Sequence, residues 1–155
     1  MRLWLLRHAR AEAESSSGRD QDRPLSAVGR ADSQALNGWL KSCAYELPPE
    51  ARVSPALRAR QTAQLALSDL PVKTTIEATL WMASTSDLTE LIETNQASKS
   101  LWLIGHNPGL EEIIHRLGSN LPVPGLKPGT LVILDLPAGA EARQLEVVKP
   151  GTSGD

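Results

Sequence analysis

Two apolar runs of the same make, LWLL at residues 3–6 and LWLI at residues 101–104, break off at polar residues: Arg7 and His8 in the first, Gly105 and His106 in the second. Runs this short and continuous read as buried strands, and turn residues and then a helical pattern follow the second. Strands that alternate with helices call for an α/β fold. In an open α/β sheet ligands sit at the carboxyl ends of the strands, so both runs deliver a histidine to the edge where chemistry is done.

Taken in order, residues 2 to 7 form the first strand. Residues 10 to 24 form a polar loop, whose Arg19 and Arg23 either reach an anionic ligand or are simply solvated. Ser26 can cap a helix whose apolar stripe is Val28, Ala31, Ala35, Leu36, Trp39, Leu40 and Cys43, with Trp39 packing in the core. Arg52 and Val53 end a second short strand. In SPALRARQTA, Ser54 can cap and Pro55 suits the first helical position, so Arg58 falls at the helix end that favours an anion. Arg60 points to another face.

Residues 72 to 76 form a weak strand, and Ser86 can cap a helix through Leu88, Leu91 and Ile92. Between them, Trp81 and Met82 either pack in the core or line a pocket mouth, with packing the better reading. Asn107 and Pro108 can open the helix after His106 as cap and first position, and Gly118 can end it in a left-handed conformation. His115 lies inside that helix without partners at metal-ligand spacing. Residues 130 to 136 and 143 to 149, joined by a Pro-Ala-Gly-Ala turn, form a hairpin at the edge of the sheet.

Length and charge narrow the function. A chain of 155 residues makes one domain, read as residues 1 to 150 with a flexible tail at 151 to 155. The net charge of −2, with no Lys/Arg stripe at helical spacing, excludes a nucleic-acid footprint. Cys43 is the only cysteine and reads as a packed helix thiol, so no intrachain disulfide forms. No run is long enough to span a membrane, and the first is too short for a signal peptide. A cytoplasmic monomer without nucleic-acid or membrane partners is expected.

The polar strand ends and Arg58 have a joint chemical use. Two guanidiniums can clamp the non-bridging oxygens of a phosphoryl group with charge-assisted bonds, and a neutral imidazole can attack phosphorus in line. Nearby cations lower a histidine's pKa in an empty site, while a bound dianion raises it.

The ordered motifs RHA, SPALRARQTA and GHNPG, with RPLSAVGRADSQAL between the first two, resemble the histidine phosphatase superfamily, the phosphoglycerate-mutase-like fold. The small phosphohistidine phosphatases of the SixA type are the most similar. That resemblance implies a three-layer α/β/α sandwich with a mostly parallel sheet and an antiparallel edge. It makes His8 the phosphorylated nucleophile, Arg7 and Arg58 the phosphate clamp, and His106 the second pocket histidine. The backbone N–H of Asn107 is a further phosphate donor. No metal and no cofactor is implied.

The chain departs from the family's Arg-His-Gly pattern at Ala9, which small SixA-like members accept. It also lacks the long insertion by which larger relatives supply a carboxylic acid for an alcohol leaving group; Glu77 and Asp87 are weak candidates for that role. A phosphoimidazole needs such an acid less, so the expected substrate is phosphohistidine displayed on a protein, for instance a phosphotransfer domain. The alternatives are a small phosphate ester turned over by a phosphomonoesterase or mutase, and a non-catalytic phosphate-binding interaction module.

Overall fold

The computed structural model describes residues 1–121 and 124–154. Six strands alternate with four α-helices: β1 (Arg2–Arg7), α1 (Ala27–Ser42), β2 (Glu50–Val53), α2 (Leu57–Ala66), β3 (Lys73–Ile76), α3 (Thr85–Thr94), β4 (Ser100–Gly105), α4 (Gly109–Arg116), β5 (Leu131–Asp135) and β6 (Arg143–Val148). They form one sheet in the order β3-β2-β4-β1-β5-β6. β1, β2, β3 and β4 run parallel, whereas β5 and β6 join antiparallel as the hairpin read from the sequence. The α/β fold with an antiparallel edge is therefore as expected.

Side chains that alternate along β1 divide the core between the two faces of the sheet. Trp4 and Leu6 point into one cluster with Leu36 and Leu40 of α1 and Ala59 and Ala63 of α2. Leu3 and Leu5 point into the other with Leu88 and Ile92 of α3 and Ile113 and Ile114 of α4. Trp4 lies directly opposite Trp102 in the β1–β4 register, with ring centroids 4.9 Å apart. The two apolar runs are thus neighbouring central strands, and their register places Arg7 beside Gly105. His8 and His106 leave the sheet at the same edge.

Three helices start elsewhere than their sequences suggest, and each shift has a local cause. α2 begins at Leu57 with Ala56 as its cap, because the chain stays extended through Ala56. α3 is capped by Ser84 rather than Ser86: the Ser84 hydroxyl accepts from the Asp87 N–H while the Asp87 carboxylate accepts from the Ser84 N–H, a reciprocal box that leaves Ser86 inside the helix. α4 begins at Gly109 after Pro108, and Asn107 uses its side chain elsewhere.

The stripe of α1 is also displaced. Ser26 caps it as expected, but Val28 is 53% exposed, Ala31 is exposed, and the buried face is Gly29, Ser33, Leu36 and Leu40. Gly29 lies directly on the Arg10 carbonyl, where any Cβ would collide. That close approach turns the helix and pins the loop after β1 against it.

Cys43 is half-buried at the end of α1, with its thiol donating to the Leu40 carbonyl. Ser42 Oγ donates to the carbonyl of Gly154 at 3.3 Å, and Asp155, the last residue of the expected tail, lies outside the described residues. Among the described residues no helix is long and apolar enough to cross a membrane.

Candidate active site

The sheet edge gathers the four side chains singled out in the sequence. His8 sits one residue past β1, with its N–H donating to the Gly105 carbonyl at the end of β4. Its ring centroid lies 5.0 Å from that of His106. Arg58, in the first turn of α2, is buried, and Arg7 ends β1.

His8 is held in one tautomer. Its Nδ1 lies 2.7 Å from the Ala9 carbonyl oxygen, which can only accept, so Nδ1 carries the proton and Nε2 presents a lone pair. Ala9 itself is fully buried, and its N–H donates to Thr62 Oγ1 of α2 at 2.9 Å. The Thr62 hydroxyl donates in turn to the Arg58 carbonyl at 2.7 Å. The loop carrying His8 and the turn carrying Arg58 are therefore tied through one hydroxyl.

His106 is held from two other elements. Its Nε2 lies 2.7 Å from the Ser54 hydroxyl, and its ring meets the edge of Trp81 at a centroid distance of 5.4 Å. The hydroxyl read as a helix cap still accepts from the Ala56 N–H at 3.3 Å, just ahead of α2, and meets the second histidine as well. Trp81 also lies under the Arg58 guanidinium, 5.5 Å from carbon to ring centroid, an arrangement that favours a cation. Its neighbour Met82 is 80% exposed and has a left-handed φ of 55°, so the packing reading fails for Met82.

The two arginines are each anchored from behind. Arg7 Nη1 donates to the Leu126 carbonyl at 2.9 Å. Arg58 Nη1 donates to the Asp20 carbonyl at 2.8 Å, and Nη2 to the Asp20 carboxylate at 3.1 Å. The Nε of each is buried without a hydrogen-bond partner. Buried, incompletely satisfied guanidiniums are costly unless an anion completes them. Asn107 donates from its amide to Leu126 O and Glu111 Oε2, so Leu126 steadies both Arg7 and Asn107.

Electrostatics follow from this packing. Burial pushes the His8 pKa down to about 3, against a raising hydrogen bond to Ala9 and with further lowering from His106, Arg58 and Arg7. Burial and then Arg58 lower His106 to about 4, with Asp20 opposing and Arg7 adding to the shift. Arg7 is lowered as well, chiefly by burial. Both imidazoles are neutral at pH 7 in the empty site, so one lone pair faces a cationic cradle suited to an oxyanion.

The remaining candidates lie apart from this arrangement or are engaged elsewhere. Arg23 binds Asp20 and the Glu12 carbonyl, while Arg19, Arg60 and His115 are exposed. Asp87 is consumed by the α3 capping box, whose hydrogen bonds lower its pKa, and Glu77 lies 3.7 Å from Arg52. Among the described residues no cluster of His, Cys, Asp and Glu is arranged for a metal ion.

Sequence reasoning misses Asp20 and the role of Ser54, and it offers the pocket mouth only as the second reading for Trp81, which meets His106 and Arg58 while also packing on the core. For Ser54 a signal existed: Val53 ends β2 opposite Ile104, so Ser54 follows a strand end on the same edge as His106. Trp81 and Asp20 belong to connections whose folding back cannot be read from periodicity.

Comparison with known proteins decides the family. The sequence pattern of the histidine phosphatase superfamily (branch 1) matches residues 3–107, two thirds of the chain, from the first apolar run through the second histidine motif. The chain belongs to this superfamily. A protein of Agrobacterium tumefaciens, provisionally assigned as the phosphohistidine phosphatase SixA, is 26% identical, with 96% of this chain and 98% of that one covered and a TM-score of 0.85. The protein histidine phosphatase SixA complexed with tungstate shares the fold at 22% identity and a TM-score of 0.81, with 97% of each chain covered. An Escherichia coli protein provisionally assigned as an alpha-ribazole-5'-P phosphatase shares it at 20% identity and 0.73, with both chains fully covered. No curated protein sequence matches. Within this superfamily of phosphatases and mutases the α/β fold is shared, while the names of these similar structures differ in substrate.

Proposed function

We propose that the chain is a protein phosphohistidine phosphatase that works through a phosphohistidine intermediate on His8. The observation that carries this reading is the occupation of the nearby carboxylates. Asp20 faces Arg58, Asp87 caps α3, Glu77 pairs with Arg52, and Glu111 accepts from Asn107 and the Leu126 N–H. Asp20, which burial alone would raise, is held below the ordinary carboxylate range by Arg58 and Arg23. Asp20 and Asp87 are both held on the ionised side, and Glu77 and Glu111 are engaged by Arg52 and by Asn107, whereas an alkoxide leaving group calls for a free protonated acid. A phosphoimidazole, protonated on its distal nitrogen, leaves as neutral imidazole without one. The higher TM-scores to two SixA structures, 0.85 and 0.81 against 0.73 for the alpha-ribazole-5'-P phosphatase, support the same choice.

The reaction is two in-line transfers. His8 Nε2 donates its lone pair to phosphorus as the P–N bond to the substrate imidazole breaks, and that bond's electron pair returns to the leaving nitrogen. Water then attacks phosphorus, the bond to His8 breaks, inorganic phosphate departs, and the water proton passes to solvent or product. Ala9 O keeps Nδ1 protonated and compensates the charge that the ring gains while it is phosphorylated. Arg7, Arg58 and His106 hold the phosphoryl oxygens, with the Asn107 backbone N–H as a further donor.

The test is a side-by-side assay of a phosphohistidine-bearing protein and a panel of sugar and nucleotide phosphates, with the phosphoenzyme trapped by rapid acid-free denaturation. We expect label on the wild-type chain, none on His8→Ala, and turnover of the phosphoprotein well above that of every ester. Faster turnover of an ester would move the assignment to a small-molecule phosphomonoesterase. Phosphate binding without a phosphoenzyme would leave a binding module.

A further inference from the structure

We propose that Asp20 is a positioning residue of the phosphate site, one that fixes the Arg58 guanidinium from the loop after β1. The inference rests on the phosphate-binding role given above to Arg58. Arg58 has a side chain only 7% exposed, and among the described residues its one ion-pair partner is Asp20, whose own side chain is 60% exposed. Its other neighbours do not hold it in the plane needed. Trp81 lies against its face, and Arg7 is near enough to be felt as a second positive charge.

Asp20 contributes two unlike groups to the grip. Its backbone carbonyl takes Nη1 and its carboxylate Oδ2 takes Nη2, so the guanidinium registers the position of the chain as well as of the side chain. The other carboxylate oxygen, Oδ1, accepts from Arg23 Nε at 2.8 Å, and Arg23 Nη1 donates to the Glu12 carbonyl at 3.0 Å. Both oxygens are therefore committed, and the short 3-10 turn at Asp20–Asp22 becomes a bracket between the loop and α2. A guanidinium carries five N–H donors. Asp20 uses one on each Nη and Nε is enclosed, so the second N–H of Nη1 and that of Nη2 are the ones left for a phosphoryl group. Asp20 thus shares its carboxylate between Arg58 and Arg23 of its own loop.

The experiment measures inorganic phosphate binding by titration calorimetry, and turnover of a phosphohistidine-bearing protein, for the full chain and for Asp20→Ala, Asp20→Asn, Arg58→Ala and the double variant Asp20→Ala/Arg58→Ala. We expect Asp20→Ala to weaken phosphate binding about tenfold and to lower kcat by about 10-fold to 100-fold, the scale of a misplaced catalytic group. Asp20→Asn, which keeps an oxygen acceptor, should recover part of both at an unchanged thermal midpoint. The double variant should lose no more than Arg58→Ala alone, since a residue that acts through another is non-additive with it. Phosphate bound as tightly or more tightly by Asp20→Ala would make Asp20 a competitor and overturn the proposal, as would additive losses in the double variant. Calorimetry needs no phosphohistidine: a chain that binds phosphate in this Asp20-dependent way but leaves phosphohistidine intact would overturn the substrate assignment and uphold the role of Asp20.

Discussion

The two central strands end alike in sequence and unlike in structure. After β1, His8 takes its orientation from the carbonyl of the next residue, so its tautomer is set within the loop that bears it. After β4, His106 takes its orientation from Ser54 on the segment beyond β2 and from Trp81 on the connection before α3. At the first end the ring contact comes from the adjacent residue, although the loop is tied to β4 and α2; the second is assembled from three segments. A tautomer set by the adjacent residue suits the nucleophilic role proposed for His8, in which the Nε2 lone pair stays free.

The largest test of that difference is loss of each ring. His8→Ala should lower turnover by about 10,000-fold or more, as removal of a nucleophile does. His106→Ala, which removes one stabilising donor, should cost about 100-fold to 1000-fold and still form a trappable phosphoenzyme. Equal losses, with no phosphoenzyme in either, would mean that the two ends share one task. A smaller change separates orientation from presence: Ser54→Ala keeps His106 but frees Nε2, and kcat should fall about tenfold with the His8 phosphoenzyme intact.

A third test uses pH. His8 and His106 have pKa values of about 3 and 4, against an ordinary 6.5. The free enzyme's nucleophile is therefore unprotonated well below neutrality, and kcat/KM should stay level from pH 7 to about pH 5 without the usual limb near 6.5. Stability runs by the same sign. Between pH 6.5 and these lowered values the unfolded chain binds more protons than the folded one, so stability falls as pH falls through that window. His8→Ala and His106→Ala should each flatten the fall, because both rings are lowered by burial. Thermal midpoints measured from pH 7 to pH 4 read this directly, and a steeper fall in His8→Ala would contradict the burial of a neutral ring.

The same contrast explains what could be read from the chain. β1, β4, the hairpin and the Ser26 cap follow from patterns a few residues long, and they appear within a residue of expectation. Arg7, His8, Arg58 and His106 were visible because each sits at a strand end or helix start. The Ser54 hydroxyl was read only as a cap since a serine before proline caps helices in general, and only the parallel pairing of β2 with β4 brings a histidine to it. Val28 was misread because the approach of Gly29 to Arg10 turns α1. Contacts between segments distant in sequence decided each of these.

The smallest expected effect lies where the assembled end obtains its aromatic partner. Met82 holds a left-handed backbone while its side chain stays in solvent, so no burial offsets the conformation. What keeps it there is on either side: Leu80 is buried in the core, Trp81 sits against His106, and the Ala83 carbonyl packs so closely on Gly109 that a Cβ there would come within 2.6 Å. For a residue with a Cβ the left-handed region costs roughly 1–2 kcal/mol. Met82→Gly removes that cost and adds back about 0.5–1 kcal/mol of backbone entropy. The net expectation is a gain of a few tenths to about 1 kcal/mol, seen as a higher denaturant midpoint at unchanged slope. Phosphate affinity should not change, since the side chain is not what places Trp81. A lower midpoint would show that the thioether, and not its neighbours, sets this turn, and the β4 end would then depend on a fourth segment-level contact.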